Sequence, residues 1–431
     1  MKNIRLNVFP DSREGRLRNI LGINNSPALY SGRKNGPEER RRFAELAPAY
    51  VRYHDAVYEN APFALIDVSR IFPLFRLDEN DPGNYDFAAT DDYLAQIADS
   101  DVIIDYRLGE SIEHSENKYR VIPPQDADKW ARICRNILRH YLSGWADGMH
   151  LKNLKYVSVW EEPDNDPLLF RSDFDAYPPL FVKTYRLLKE ESPFLKIGGP
   201  NATCTRYDCY EKMIAYCKEQ NVEPDFVSMT AYTDDPGVFA DRVQTIESMI
   251  RSAGWQKAEL ILSEWHQGWN SPKTDYYGSY NAAFSAAALI RLHEWTDITA
   301  AYYYAWRVEN FGVFYDDADR RDIPMPVYYG LKYFTETAKG EKLKVTGAED
   351  VDVLAGVSEG TVRLLISCME KEALTVHVSV PGYAHCSYRS VSEKDWQRSE
   401  HRRRAKRNAD GSFVLSAADK TASVILAEFT K

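Results

Sequence analysis

Eight short apolar runs, each followed by an amphipathic stretch, constrain this chain more than any other feature. Between about residues 15 and 340 they read NILGINN, YVRYH, VIIDYRL, YVSVW, KIGGP, DFVSMTAY, LILSEW and AAYYYAW. The intervening segments carry the helix period. Trp130, Ile133, Cys134, Ile137, Leu138 and Tyr141 share one face of a helix predicted over 126–142. Tyr210, Met213, Ile214 and Cys217 repeat that spacing, as do Val243, Ile246, Met249 and Ile250. The last helical stretch is predicted over 328–338. Short apolar strands alternating with helices predict a parallel sheet with crossover helices, and eight such units fit a (β/α)8 barrel. A doubly wound open sheet is the competing arrangement, but no Gly-rich phosphate loop follows the first run.

After Gly340 the pattern changes. VDVLAGV, TVRLLISCM, LTVHVSV, SFVLS and ASVILAEF are short, β-rich and separated by turn residues. We therefore expect three parts: residues 15–340 as the barrel, 341–431 as a small antiparallel β-sandwich, and 1–14 as an N-terminal strand (IRLNVF) joining that sandwich. The basic run HRRRAKRN, 401–408, falls between predicted strands and reads as a solvated hairpin face.

Charge narrows the function. Lys and Arg number 54 against 64 Asp and Glu, a net charge of −10, which argues against general nucleic-acid binding. No stretch approaches a membrane-spanning helix, and the first residues hold no apolar signal core, so the expectation is a cytoplasmic protein off the membrane. Cys134, Cys204, Cys209, Cys217, Cys368 and Cys386 form no CxxC pair and no metal-finger spacing. No HExxH and no GxSxG occurs, so neither a metal centre nor a serine triad is expected, and no cofactor. The 28 Tyr and 9 Trp supply rings with an apolar face and a polar tip, suited to sugars as well as to cores.

In a (β/α)8 barrel the reactive groups stand at the C-terminal ends of the strands. Those ends offer His54, Glu110, Glu161, Glu162, Asn165, Tyr232, Glu264, His266, Trp306 and Glu309. The fourth run ends in VWEEPDN and the seventh in LILSEW, each placing a carboxylate straight after a buried strand, where it is costly unless it faces a polar site. Strands four and seven lie across the barrel mouth from each other. Two opposed carboxyls about 5 Å apart are the machinery of a retaining glycosidase.

These motifs resemble glycoside hydrolase family 39, which includes β-xylosidases and α-L-iduronidases. Trp160-Glu161-Glu162-Pro163 is similar to the family's strand-four W-N-E-P, and Ser263-Glu264-Trp265 to its strand-seven [ST]-E-aromatic. Val51-Arg52-Tyr53-His54 resembles the strand-two R-x-H segment, and Asp225-Phe226-Val227-Ser228 the strand-six D-F-I-S segment. The resemblance implies Glu162 as proton donor, Glu264 as nucleophile and Tyr232 as the nucleophile's hydrogen-bond partner. Two positions depart from it: Glu161 replaces the Asn that contacts the sugar 2-hydroxyl, and Thr230 stands where a His is usual.

The expected activity is that of an exo-acting β-xylosidase, with β-galactosidase and α-L-arabinofuranosidase as alternatives and a non-catalytic carbohydrate-binding barrel as a different class. The expected partner is an oligosaccharide or glycoside, with assembly into a homo-oligomer left open. His54 either bonds a sugar hydroxyl or caps its strand. Trp306 is either the platform beneath the sugar ring or barrel packing. His266 and Trp269 are expected to line a subsite, and Glu110 and Glu309 to serve loops. Glu161 either pairs with a basic residue beside the site or accepts from a sugar hydroxyl.

Overall fold

The computed structural model describes residues 2–27, 36–55, 57–58, 61–268, 270–308, 311–315, 320, 323–394, 396–417 and 420–431. Glu309 and Trp269 lie outside the described residues. Eight parallel strands close into a barrel: Leu21–Asn24, Tyr50–Tyr53, Ile103–Leu108, Leu154–Val159, Lys196–Thr203, Phe226–Tyr232, Glu259–His266 and Ala300–Tyr303. They coincide in order with the eight apolar runs. Ala301 pairs with Leu21, so the eighth strand closes on the first.

Local sequence explains the helices. Ala127–Ser143 starts where the Asp126 carboxylate accepts from the Lys129 N–H at 2.9 Å. It stops at Gly144, which takes the left-handed conformation at φ 75°. Tyr207–Glu219 and Pro236–Ser252 turn their periodic apolar residues onto the barrel wall in the same way. Ser279–Trp295 differs, being buried around most of its circumference. An all-round apolar helix must be covered on both sides. The barrel covers one side and the second domain the other, with Ser279 Oγ donating to the Ala422 carbonyl and Ser367 Oγ to the Ala283 carbonyl, both at 2.7 Å.

The second domain is a ten-stranded, mostly antiparallel sheet. Its far ends fold over a shared core: Phe413 meets Phe429 edge-on at 5.5 Å, and the Tyr388 hydroxyl lies 3.3 Å from Ser416 Oγ. All pairings within it are antiparallel except one. The N-terminal strand, Lys2–Arg16, lies antiparallel to Glu341–Thr346 and parallel to Leu374–Ser379. Its alternating Ile4, Leu6 and Val8 are buried there.

Candidate active site

Just beyond the fourth strand the backbone enters the left-handed region twice: Trp160 has φ 66° and Glu162 φ 35°. Such conformations are costly for residues bearing a side chain and persist where the surroundings fix them. Here the Asn201 amide donates to the Trp160 carbonyl at 2.7 Å, and the Trp160 indole to the Leu169 carbonyl at 2.8 Å. Gly109 permits the close approach, since a Cβ there would sit 3.0 Å from Trp160 Cα. The sharp turn sends successive carboxylates in different directions.

Glu162 faces the sixth strand and its own loop. Thr230 Oγ1 donates to Glu162 Oε1 at 2.8 Å and Asn165 Nδ2 to Glu162 Oε2 at 2.9 Å. Glu264, on the seventh strand, accepts from the Tyr232 hydroxyl, and His54 Nε2 stands 3.5 Å from its other oxygen. Burial raises the pKa of both carboxyls, and the charge of Glu162 raises Glu264 further. Glu264 is pushed up to about 8, so it keeps its proton into a range where an ordinary Glu is ionised.

Glu161 points the other way. It is fully buried, and the Arg52 guanidinium, also fully buried, donates to its Oε2. Arg52 in turn reaches Asn24 Oδ1 at 3.1 Å, and Asn24 donates to the carbonyls of Ser263 at 3.0 Å and Tyr302 at 3.2 Å. One guanidinium thus ties the first, second, fourth, seventh and eighth strands. Among the described residues, the second oxygen of Glu161 is buried with no hydrogen-bond partner, as is His54 Nδ1. Burial, with Arg52 and Arg107 close by, holds the His54 pKa well below the usual imidazole range. The ring is neutral at physiological pH.

Of the seven residues expected at the site, the structure gathers Glu161, Glu162, Glu264, Tyr232 and His54. Two it sets apart. His266 is fully buried, with Nε2 on the Tyr303 hydroxyl at 2.8 Å and Nδ1 toward the Gln267 carbonyl at 3.4 Å. Burial lowers its pKa to about 3, so it packs as a neutral ring among Tyr276, Tyr303 and Phe311. Trp306 is 1% exposed, wedged between Phe43 and Phe314, with its indole N–H on Glu39 at 2.7 Å. Neither presents a face for a ligand. Glu110 serves its loop, accepting from the Ser69 N–H at 2.9 Å and Ser69 Oγ at 2.5 Å.

Sequence reasoning missed Asp55 and Tyr304. The Tyr304 hydroxyl donates to Asp55 Oδ2, and Asn25 Nδ2 donates to Asp55 Oδ1 at 2.7 Å. His54 Nε2 is 3.9 Å from the same Asp55 carboxylate, and the charges of Glu264 and Glu162 both act on Tyr304. The available signal was position: Asp55 directly follows His54, and Tyr304 directly follows the eighth strand.

Among the described residues, one group has the spacing of a cation site: His54, Glu161 and Glu264 each offer a ligand atom, all within 4.8 Å of one another. The Arg52 guanidinium already occupies the Glu161 carboxylate and supplies the cation that a metal would. What remains is a pair of buried carboxyls, Glu162 and Glu264, with the charge of Glu162 acting on Glu264, beside the His54 imidazole and the fixed positive charge of Arg52.

The sequence pattern described as glycosyl hydrolases family 39 matches residues 65–361. That stretch contains Glu161, Glu162, Thr230, Tyr232 and Glu264; Arg52 and His54 precede it. A β-xylosidase of Geobacillus stearothermophilus is 24% identical over 232 residues, 49% of this chain and 44% of that protein's length. Among solved structures, a glucosidase from Croceicoccus marinus has a TM-score of 0.81 at 21% identity, covering 100% of both chains. A monomeric β-xylosidase from Caulobacter crescentus CB15 has a TM-score of 0.72 at 15% identity, covering 99% of both. At such identities the structural likeness is one of fold.

Proposed function

The chain belongs to glycosyl hydrolases family 39, and from that premise we propose that it is a retaining, exo-acting glycoside hydrolase with Glu264 as nucleophile and Glu162 as acid/base. In this reading Glu264 attacks the anomeric carbon while Glu162 gives its proton to the departing oxygen. A water deprotonated by Glu162 then attacks the same carbon and releases the sugar. The observation that carries the reading is the contrast between the two buried carboxyls. Glu264 accepts from the Tyr232 phenol and stands near His54; burial and the charge of Glu162 push its pKa up to about 8, against the lowering pull of the Tyr232 hydrogen bond and Arg52. Glu162 rests one oxygen on the Thr230 hydroxyl, which can either donate to a carboxylate or accept from a carboxylic acid. Protonation of Glu162 removes the charge that raises Glu264, so a proton on Glu162 favours an ionised Glu264.

A β-xylosidase is the glycone reading we favour, supported by the Geobacillus relative. β-Galactosidase and α-L-arabinofuranosidase are the alternatives; an α-L-arabinofuranosidase from Thermotoga maritima shares the fold at a TM-score of 0.69. The assignment is tested by leaving-group dependence. Glu264→Gln should abolish turnover of every glycoside. Glu162→Gln should lose about 10²–10⁴-fold on unactivated glycosides while still releasing an activated nitrophenol in the first step. Equal losses on both substrate classes would reverse or remove the roles. A panel of aryl glycosides from which the intact protein releases nothing would leave the non-catalytic, sugar-binding barrel.

A further inference from the structure

The basic run at 401–408 is divided between two antiparallel pairings, its second half forming an exposed hairpin with the strand that follows. Arg403–Arg404 pairs with His385–Val391 at one end of the ten-stranded sheet, and Lys406–Arg407 pairs with Phe413–Ala417 at the other. Ala405, between them, is buried and donates its N–H to the Cys386 carbonyl at 3.0 Å. The run therefore spans the gap where the sheet nearly closes.

At the first of these ends a row crosses four adjacent strands. Arg363 lies opposite Glu428, Glu428 opposite Ser387, and Ser387 opposite Arg404. Directly opposed residues project from the same face of a sheet. The row floors an open groove of about 640 Å³, with Thr361 and Thr430 beside it and Arg402 at its edge. Its charge is out of balance. Arg363 and Arg402 both engage the one Glu428 carboxylate, and Arg404 is exposed with no ion-pair partner among the described residues. Three guanidinium groups face one carboxylate on a chain whose net charge is −10.

We propose that this groove binds an acidic saccharide, one bearing uronate carboxylates along its length. Guanidinium groups present a planar fork that matches a carboxylate through two hydrogen bonds. Arg363 and Arg404 are separated by three strand spacings, about 14 Å in all, which no single phosphate or sulfate spans. The row calls for anionic groups set apart along an extended chain, and the serine and threonine hydroxyls between them suit sugar hydroxyls. Nucleic acid fits less well, because the lining holds no Phe, Tyr or Trp on which a base could stack. The choice of a saccharide rests on family membership, whereas the groove itself is separate from the Glu162–Glu264 pair.

The test is calorimetric titration of the full-length protein with trigalacturonate and with a glucuronate-bearing xylo-oligosaccharide, using neutral maltotriose as control. We expect at least one acidic ligand to bind, to weaken with added salt, and to weaken about tenfold or more in Arg404→Ser and in Arg363→Gln. Aryl-glycoside turnover should be unchanged in both variants. Arg404 is exposed, so its variant keeps the test valid if Arg363→Gln does not fold. Binding should persist in Glu264→Gln, which separates failure of this site from failure of the catalytic assignment. The proposal is overturned if neither acidic ligand binds, if maltotriose binds equally, or if the Arg404 variant binds unchanged. Equal affinity for inorganic phosphate or for a DNA oligonucleotide would also overturn it.

Discussion

Glu161 is the residue at which physical cost and sequence expectation meet. A carboxylate stripped of water in a barrel core is tolerated only with a charge partner, and Arg52 is that partner. The pairing also mutes the field that Arg52 projects onto Glu162 and Glu264, both of which it acts to lower. Glu161→Asn removes one negative charge and leaves the guanidinium charge uncovered. Both changes favour ionisation of Glu162 and Glu264, so both pKa values should fall. The acidic limb of the kcat/KM profile then moves to lower pH, because Glu264 ionises earlier, and the alkaline limb moves down with it, because Glu162 loses its proton earlier. Stability should drop by about 3 kcal/mol, the low end of the cost of stripping a buried pair, since an amide oxygen still accepts from Arg52. Denaturant titration and a pH–rate profile check the two parts separately. An unmoved profile would mean that Glu161 has no electrostatic hold on the pair.

Among the elements, the two helices flanking the eighth strand in sequence decide how the domains meet. Ser279–Trp295 is packed between the barrel and the ten-stranded sheet, and Pro326–Thr337 lies against it. They approach closely at Gly330, where a Cβ would stand 2.6 Å from the Ala282 carbonyl oxygen and 3.0 Å from its Cα. Helix propensity alone makes Gly330→Ala a gain of about 1 kcal/mol. A collision with backbone cannot be relieved by rotating a side chain, and overpacking of this kind costs about 1–3 kcal/mol. We expect net destabilisation, read as a lower Tm, with the wild-type glycone ranking preserved. A raised Tm would show that the helices separate freely. The two coverings of Ser279–Trp295 lie far apart in the chain, so local periodicity says nothing of the second one.

At the scale of the whole molecule, the chain begins in the second domain, threads the barrel, and returns. Lys2–Arg16 stands between Glu341–Thr346 and Leu374–Ser379, so deleting residues 1–10 would leave two open sheet edges and remove the buried side chains of Ile4, Leu6 and Val8. Each is worth about 1.5–3 kcal/mol of burial. The truncated protein should melt well below the intact one and aggregate, although it lacks no residue of the site. An unchanged melting profile would mean that the sheet is complete without its first strand. The barrel itself was legible in the sequence, because strand and helix periodicities are local: they depend only on which residues stand two, three or four apart. The carboxylates of VWEEPDN and LILSEW were legible for the same reason, each standing directly after an apolar run. Pairings between residues distant in the chain were not legible, since only the closed barrel brings them together. Arg52 claims Glu161, Thr230 supports Glu162, and Asp55 takes the Tyr304 hydroxyl, across separations of 109, 68 and 249 residues. Trp306 and His266 show the same limit from the other side. At a strand end each could have faced the barrel mouth or the shell, and the packing of Phe43, Phe314 and Tyr303 around them put both into the shell.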